Sequence, residues 1–312
     1  MKFVNVRQNP DVFGDGIHDD TKALQNCIDT LKSGGTIYFP DGVYLLSATL
    51  IFYSHQTLKF SDGAVMLRSP NGDPLTRYLL ASYSEPSWGG YTGTHHVVIS
   101  GGIFDGNKNL NERSTLLNTV HCSNILIENC TFRHCGYWHC IELNGTKDTL
   151  IQNCVFDGPS YTHVPENIYN EQIQLDLCKD GSYGPVYNCD GQLIDFCKDE
   201  TVCRDITIRS NIFKCDGFPA IGHHDPCEHH NIDVENNIFH GPMGRDGKTR
   251  GYIFFRPPVY DVRVTSNAFI APEETNSPAM GIITENPDIA SLTEEDNVFI
   301  GHFDEKLVYG IR

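Results

Sequence analysis

The chain has 312 residues, with 40 acidic against 23 basic side chains and a formal charge of −17. That surplus of carboxylates disfavours nucleic acid and anionic membrane surfaces as partners. It also makes a strongly anionic polymer a poor ligand unless basic groups gather locally.

Residues 14–46 hold the first predicted elements. Asp20 or Thr21 caps a helix whose apolar face is Ala23, Leu24, Cys27, Ile28 and Leu31, and Gly34-Gly35 ends it. Thr36–Phe39, a Pro-Asp-Gly turn and Val43–Leu46 form the first strands. Asp15 and Asp19 are read as structural or capping groups.

Further along, one motif recurs six times. The copies are Glu128–Phe132, Gln152–Phe156, Arg209–Phe213, Glu235–Phe239, Thr265–Phe269 and Glu295–Phe299, each ending in Phe with Asn or Cys two residues earlier. A weaker seventh copy, Gly101–Phe104, precedes them. The intervals between the six Phe residues are 24, 57, 26, 30 and 30. Most copies follow an alternating apolar run such as Ile125-Leu-Ile127, and none contains a long helical pattern. A repeat of strand, polar turn and short strand at this period predicts one all-β domain over 1–312, a right-handed parallel β-helix with an N-terminal capping helix. Successive coils lie about 4.8 Å apart, so equivalent residues stack. The Asn column (Asn211, Asn237, Asn267, Asn297) is expected at a sharp left-handed bend, bonded to its neighbours' amides. Cys130 and Cys154 fill the same column, and the Phe column stacks inside.

The interval of 57 marks a long insertion within 157–202, and insertions on a solenoid gather on one face, often the binding face. The short strands after each Phe align as Ile141–Asn144, Ile173–Asp176, Ile221–His224, Ile253–Arg256 and Ile282–Glu285. Side chains alternate along a strand. The fourth positions (Asn144, Asp176, His224, Arg256, Glu285) and the second positions Glu142 and Gln174 are therefore expected on one solvent face. Together they would form a polar groove with the insertion leaving from Asp176 as its wall.

The opening GDGIHDDTKALQ (14–25) and GGTIYFPDGVYLL (34–46) resembles the start of the pectate-lyase-like superfamily of right-handed parallel β-helices. With the repeats, the resemblance covers most of the chain. It implies the fold, which hosts glycoside hydrolases, polysaccharide lyases, esterases, epimerases and phage tailspikes. A carboxylate coil, then a Gly-His coil, then an Arg coil also resembles the polygalacturonase-like glycoside hydrolases. The positions carried over are Asp176, His223 or His224, and Arg256. There is no adjacent Asp pair at 176, and Pro258 stands where that family has Lys, which argues against galacturonate specificity.

Glycoside hydrolysis needs two carboxyl groups with separated pKa values. Asp176 is expected as general acid, with Glu142 or Asp180 serving a water and Asp190 or Asp225 as further options. His224 would tune the pair. Arg256, Gln174, His223, Asn144 and Glu285 would hold an oligosaccharide or polysaccharide, and Trp138 and Tyr183, with Tyr137, Tyr161 and Tyr187, would stack on sugar faces. No cofactor is called for. A polysaccharide lyase with Arg256, His224 or Tyr183 as base is the second reading, and a non-catalytic carbohydrate-binding β-helix the third.

The stretch HHDPCEHH (223–230) contains zinc-ligand types. Alternation and the turn at Pro226 predict that they do not converge, so no metal is expected. His134, Cys135 and His139 read as lining, and the His95-His96 pair, at the start of a strand, as structural. Twelve cysteines and a start, MKFVNVRQNP, without an apolar leader predict a cytoplasmic, reduced protein acting on imported oligosaccharides. In an oxidising compartment, disulfides would be sought among Cys178, Cys189, Cys197, Cys203, Cys215 and Cys227.

Overall fold

The computed structural model describes residues 2–72, 78–110, 114–136, 138–159, 171–182, 185–215, 218–223, 227–241, 251–256, 258–272, 280–284, 292–303 and 305–309. Each coil adds one strand to each of three sheets. Ser123–Glu128, Thr131–Cys135 and Ile141–Asn144 make one coil, and Lys147–Gln152, Val155–Pro159 and Ile173–Asp176 the next. Among the described residues, two sheets of ten strands and one of nine stack in parallel along the axis. This is the right-handed parallel β-helix that the repeat predicts. Alternation builds it: Ile125 and Ile127 point into the core while Asn124 and Glu128 face out.

The Phe column runs through the core. Phe104, Phe132, Phe156, Phe213, Phe239, Phe269 and Phe299 stack with centroids 4.6–5.3 Å apart and ring planes within 17°. The weaker copy at Phe104 lies in register with Phe132. The interval of 57 leaves the stack intact, with Phe156 and Phe213 4.6 Å apart. The extra chain lies instead on either side of Ile173–Asp176, which is itself a regular rung.

The Asn ladder bonds as expected. Asn211 Nδ2 donates to Asn237 Oδ1 at 3.1 Å, Asn237 Nδ2 to Asn267 Oδ1 at 3.0 Å, and Asn267 Nδ2 to Asn297 Oδ1 at 3.0 Å. Each Oδ1 also accepts the backbone N–H of the previous rung, and Asn211 does this for Cys154. The bend itself falls one residue earlier than expected. Asn129, Asn153, Ser210, Asn236, Ser266 and Asp296 take the left-handed conformation at φ 54–57°. That turn leaves the next side chain pointing inward, where the amides meet.

The helix spans Thr21–Asp29 and buries Ala23, Leu24, Cys27 and Ile28, with Leu31 just beyond its end. Asp20 stands at the cap position, but its buried carboxylate accepts the N–H groups of Phe13 and Gly14 at 2.6 and 3.0 Å. Asp19 accepts from the Thr21 N–H instead. Asp15 accepts from Ile17 and His18 within its own turn. The helix closes the solenoid through Gln25. Its amide accepts the Ile51 N–H at 2.7 Å and donates to the Ile51 carbonyl at 3.0 Å, standing in for the strand missing from the edge of the third sheet.

Candidate functional site: a buried acid–amide layer on the third sheet

The aligned strands fall in the expected register. Ile141, Ile173, Ile221, Ile253 and Ile282 pair in succession, and Glu142 lies opposite Gln174 and Asn144 opposite Asp176. Asn118 and Val120 continue the two columns on the preceding strand.

These residues do not line an open groove. Asn118 and Asn144 are fully buried, and Glu142, Gln174 and Asp176 are each only 2% exposed. Within the layer, Asn144 Nδ2 donates to Glu142 Oε1 at 3.2 Å and Thr115 Oγ1 to Glu142 Oε2 at 3.3 Å. Gln174 Nε2 donates to Asp176 Oδ2 at 3.0 Å, and the Leu177 N–H to Asp176 Oδ1 at 2.7 Å. Acid and amide exchange places between the two strands, so the carboxylates sit on a diagonal. Among the described residues, both polar atoms of the Asn118 side chain and Asn144 Oδ1 find no hydrogen-bond partner. An unmet buried polar group costs about 1–3 kcal/mol, so the layer is expensive as scaffolding alone.

Several expected members do not join it. Asp180 faces solvent and pairs with Lys198 at 2.9 Å. Asp190 pairs with Lys22 of the helix at 2.5 Å. Tyr187 belongs to a two-stranded hairpin within the insertion. Trp138 is half-buried against Tyr78, with ring centroids 6.1 Å apart. Tyr137, Tyr161, Tyr183, His224, Asp225 and Glu285 lie outside the described residues.

Nor does the insertion simply wall a groove at Asp176. From Leu177 it runs back toward the amino-terminal coils. Val186 packs on Ile51, Tyr78 and Ala81, and Phe196 with Cys178 on Val120. Thr49 bridges Asn188, and the buried His121 ring touches the Cys197 and Gly90 carbonyls, each at 2.7 Å. The outer faces of those coils carry Ile51, Ala81 and Val120, and covering this apolar surface is what holds the insertion there.

His223 points inward, as alternation predicts, and is fully buried. Against expectation, Cys227 and His229 converge on it, with one ligand atom of each within 4.8 Å of the others. The hydrogen bonds nevertheless oppose a metal. His223 Nε2 accepts the Arg256 N–H at 2.7 Å, and His229 Nδ1 accepts the Cys203 N–H at 2.9 Å. A neutral ring that accepts at one nitrogen carries its proton on the other. His223 Nδ1–H therefore faces Cys227 Sγ at 3.7 Å. His229 Nε2–H lies near the Leu175 carbonyl without a well-formed bond. Burial, and then the neighbouring His223, holds His229 well below the usual imidazole range, hence neutral. Arg256 is half-buried, with its guanidinium 5.5 Å over the Phe254 ring.

Residues 3–241 match the family described as Rhamnogalacturonase A/epimerase, pectate lyase-like. The chain belongs to this family. Among similar proteins, the plasmin and fibronectin-binding protein A of Streptococcus pneumoniae is 29% identical over 289 residues, 82% of this chain. The chain spans only 38% of that protein's length. The crystal structure of PfbA, a surface adhesin of Streptococcus pneumoniae, superposes with a TM-score of 0.71 at 21% identity, over 96% of this chain and 72% of that one. ORF18 of Geobacillus virus E2 superposes with a TM-score of 0.61 at 13% identity, over 98% and 61%. At these identities the two structures establish the fold alone.

These relatives correct the cytoplasmic expectation, because the pneumococcal protein is a surface adhesin. The cysteines do not require a reducing compartment. Ten of the cysteines are buried, Cys189 and Cys197 are partly exposed, and none of the twelve is in a disulfide. Burial pushes the Cys122 and Cys203 thiols up to about 12, which leaves them protonated and inert.

The pectate lyase-like chain also holds a cavity of about 420 Å³ that no motif announced. It lies between the helix and the insertion and is lined by Gln25, Asp29, Tyr53, Tyr83, Glu85 and Cys189, among others. The Tyr53 and Tyr83 rings are 5.4 Å apart, Lys32 lies 4.9 Å over Tyr53, and the Tyr83 hydroxyl donates to Glu85 at 2.8 Å. Its residues come from four distant stretches of chain, so no local pattern could have assembled them.

Proposed function

We propose that this pectate lyase-like chain is a carbohydrate-active protein that hydrolyses glycosidic bonds, with Glu142 and Asp176 as the acid–base pair. The observation that carries this reading is the buried acid–amide layer with its unmet amides. Sites built to hydrogen-bond a ligand leave polar groups unpaired in its absence. An inverting pair stands roughly 6.5–9.5 Å apart, with room for a water, and a retaining pair about 5–5.5 Å; the anomeric configuration of the product would assign Glu142 and Asp176 to one or the other. Arg256 and Gln174 would orient sugar hydroxyls.

A second reading has its own support. The carboxylates are almost closed to solvent, whereas the cavity beside Tyr53 and Tyr83 falls within the size of a small-ligand site. The relative named above binds plasmin and fibronectin. On this reading the chain binds a glycan without cleaving it. Incubation with neutral and acidic oligosaccharides, followed by product analysis, separates the two. Hydrolysis products lost in Asp176→Asn support the enzyme, and an unsaturated, ultraviolet-absorbing product points to a lyase. Binding without any product, weakened by Tyr53→Ala, supports the binding module.

A further inference from the structure

We propose that His55, His95 and His96 form a surface site for a divalent transition-metal ion. The three rings come from two adjacent coils, and one ligand atom of each lies within 4.8 Å of the others. Ring centroids are 4.9 Å apart for His55–His95 and 5.2 Å for both His55–His96 and His95–His96.

The backbone places them. His55 and His96 occupy the same turn of successive coils, one above the other, in the left-handed conformation at φ 63° and 55°. The later coils put Asn124, Asp148, Asp205, Asn231 and Asp261 at this position, with φ between 50° and 56°. Those short side chains suffice for the turn. Imidazoles occupy it in the two coils where His95 stands beside them.

Proton positions separate this trio from the buried one. His95 Nδ1 lies 2.9 Å from the Gly93 carbonyl, which can only accept. Nδ1 therefore carries the proton, and Nε2 keeps its lone pair. A ring N–H held by a backbone carbonyl is the usual support of a metal-binding imidazole. The Ser54 hydroxyl steadies the same residue by accepting the His95 backbone N–H at 3.1 Å. Among the described residues, the rings of His55 and His96 make no hydrogen bond, and both are exposed, so they can rotate inward. A tetrahedral zinc sets its ligand nitrogens about 3.3 Å apart, and rotation of the two exposed rings is the movement that would draw them together. Imidazoles suit zinc, nickel and copper, and three of them leave a fourth position for water. In contrast, both rings of His223 and His229 spend their lone pairs on backbone N–H groups.

The test is zinc chloride titrated into tag-free protein, with stoichiometry from equilibrium dialysis and stability from thermal melting. We expect one zinc per chain and a rise of several degrees in Tm at saturation, because the ion ties two coils together. His55→Asn and His96→Asn should each weaken binding at least tenfold. Asn already serves this turn at Asn124 and Asn231, so both variants keep the fold, which circular dichroism checks. Cys227→Ala should bind as the wild type does. Absence of stoichiometric binding overturns the site. So does binding unchanged by the two Asn substitutions, or binding lost in Cys227→Ala.

Discussion

Glu142 and Asp176 occupy opposite corners of a buried square whose other corners are Asn144 and Gln174. Each carboxylate accepts from the amide two residues away on its own strand, at 3.2 Å for Glu142 and 3.0 Å for Asp176. The arrangement keeps like charges off directly facing positions. It also sets an acid beside an amide at each end of the pair, Glu142 opposite Gln174 and Asp176 opposite Asn144.

On the hydrolase reading, Asp176→Asn and Glu142→Gln each lower kcat by at least about a hundredfold, the scale of a lost general acid or base. Both substitutions conserve shape, so thermal melting should show only a small shift. Steady-state kinetics on the best substrate from the product screen, with Tm alongside, checks this. Full activity in either variant removes that residue from the chemistry.

The edge of the third sheet depends on one side chain. Gln25→Ala leaves the Ile51 N–H and carbonyl without the amide that now bonds both. The expected loss is about 1–3 kcal/mol. Hydrogen exchange at the Ile51 amide should accelerate while amides near Phe239 stay protected, which distinguishes a frayed end from global weakening.

The Phe stack carries the middle of the core. Phe213 is fully buried between Phe156 and Phe239, at 4.6 and 5.0 Å. Phe213→Ala should cost about 3–5 kcal/mol, read from denaturant midpoints. Asn237→Ala, which removes the acceptor for both the Asn211 N–H and the Asn211 amide, should cost about 1–3 kcal/mol by leaving them unmet.

His229 predicts a pH slope. Its folded pKa lies well below the ordinary value, chiefly through burial. An unfolded imidazole protonates near 6.5. Above about 6.5 neither state binds the proton. Below it the unfolded chain does and the folded one does not, so stability decreases as the pH is lowered, by at most about 1.4 kcal/mol per unit. His229→Gln, whose carbonyl can still accept the Cys203 N–H, should flatten that dependence. Unfolding midpoints from pH 7.5 to 5 in both proteins check it, and equal slopes would rule it out.

Much of the fold was legible because a solenoid is a local code. Phe132, Phe156 and Phe213 mark equivalent positions without knowledge of any distant contact, and Ile141, Ile173 and Ile221 follow at a set distance in the coil. Alternation then placed Glu142 and Asp176 on the same face of the sheet, facing away from the core.

Whether that side meets water is not a local property. The covering of Ile51, Ala81 and Val120 by Val186 and Phe196 joins segments more than 60 residues apart, and no periodicity reports it. The same holds for the cavity at Tyr53 and Tyr83, lined by residues from Gln25 to Asp195. His223 and His229 are near in sequence, but the backbone N–H that each ring accepts comes from Arg256 and Cys203 on other coils.

By itself, then, the amino-acid order determined the coil, its stacked columns and the strand register, since each follows from side-chain period and turn chemistry within one repeat. Only the tertiary structure decided that the acid–amide layer is closed, that the insertion folds toward the amino-terminal end, and that three imidazoles meet at its surface. Those outcomes depend on contacts between coils and loops, whose energies arise only once the chain has wound.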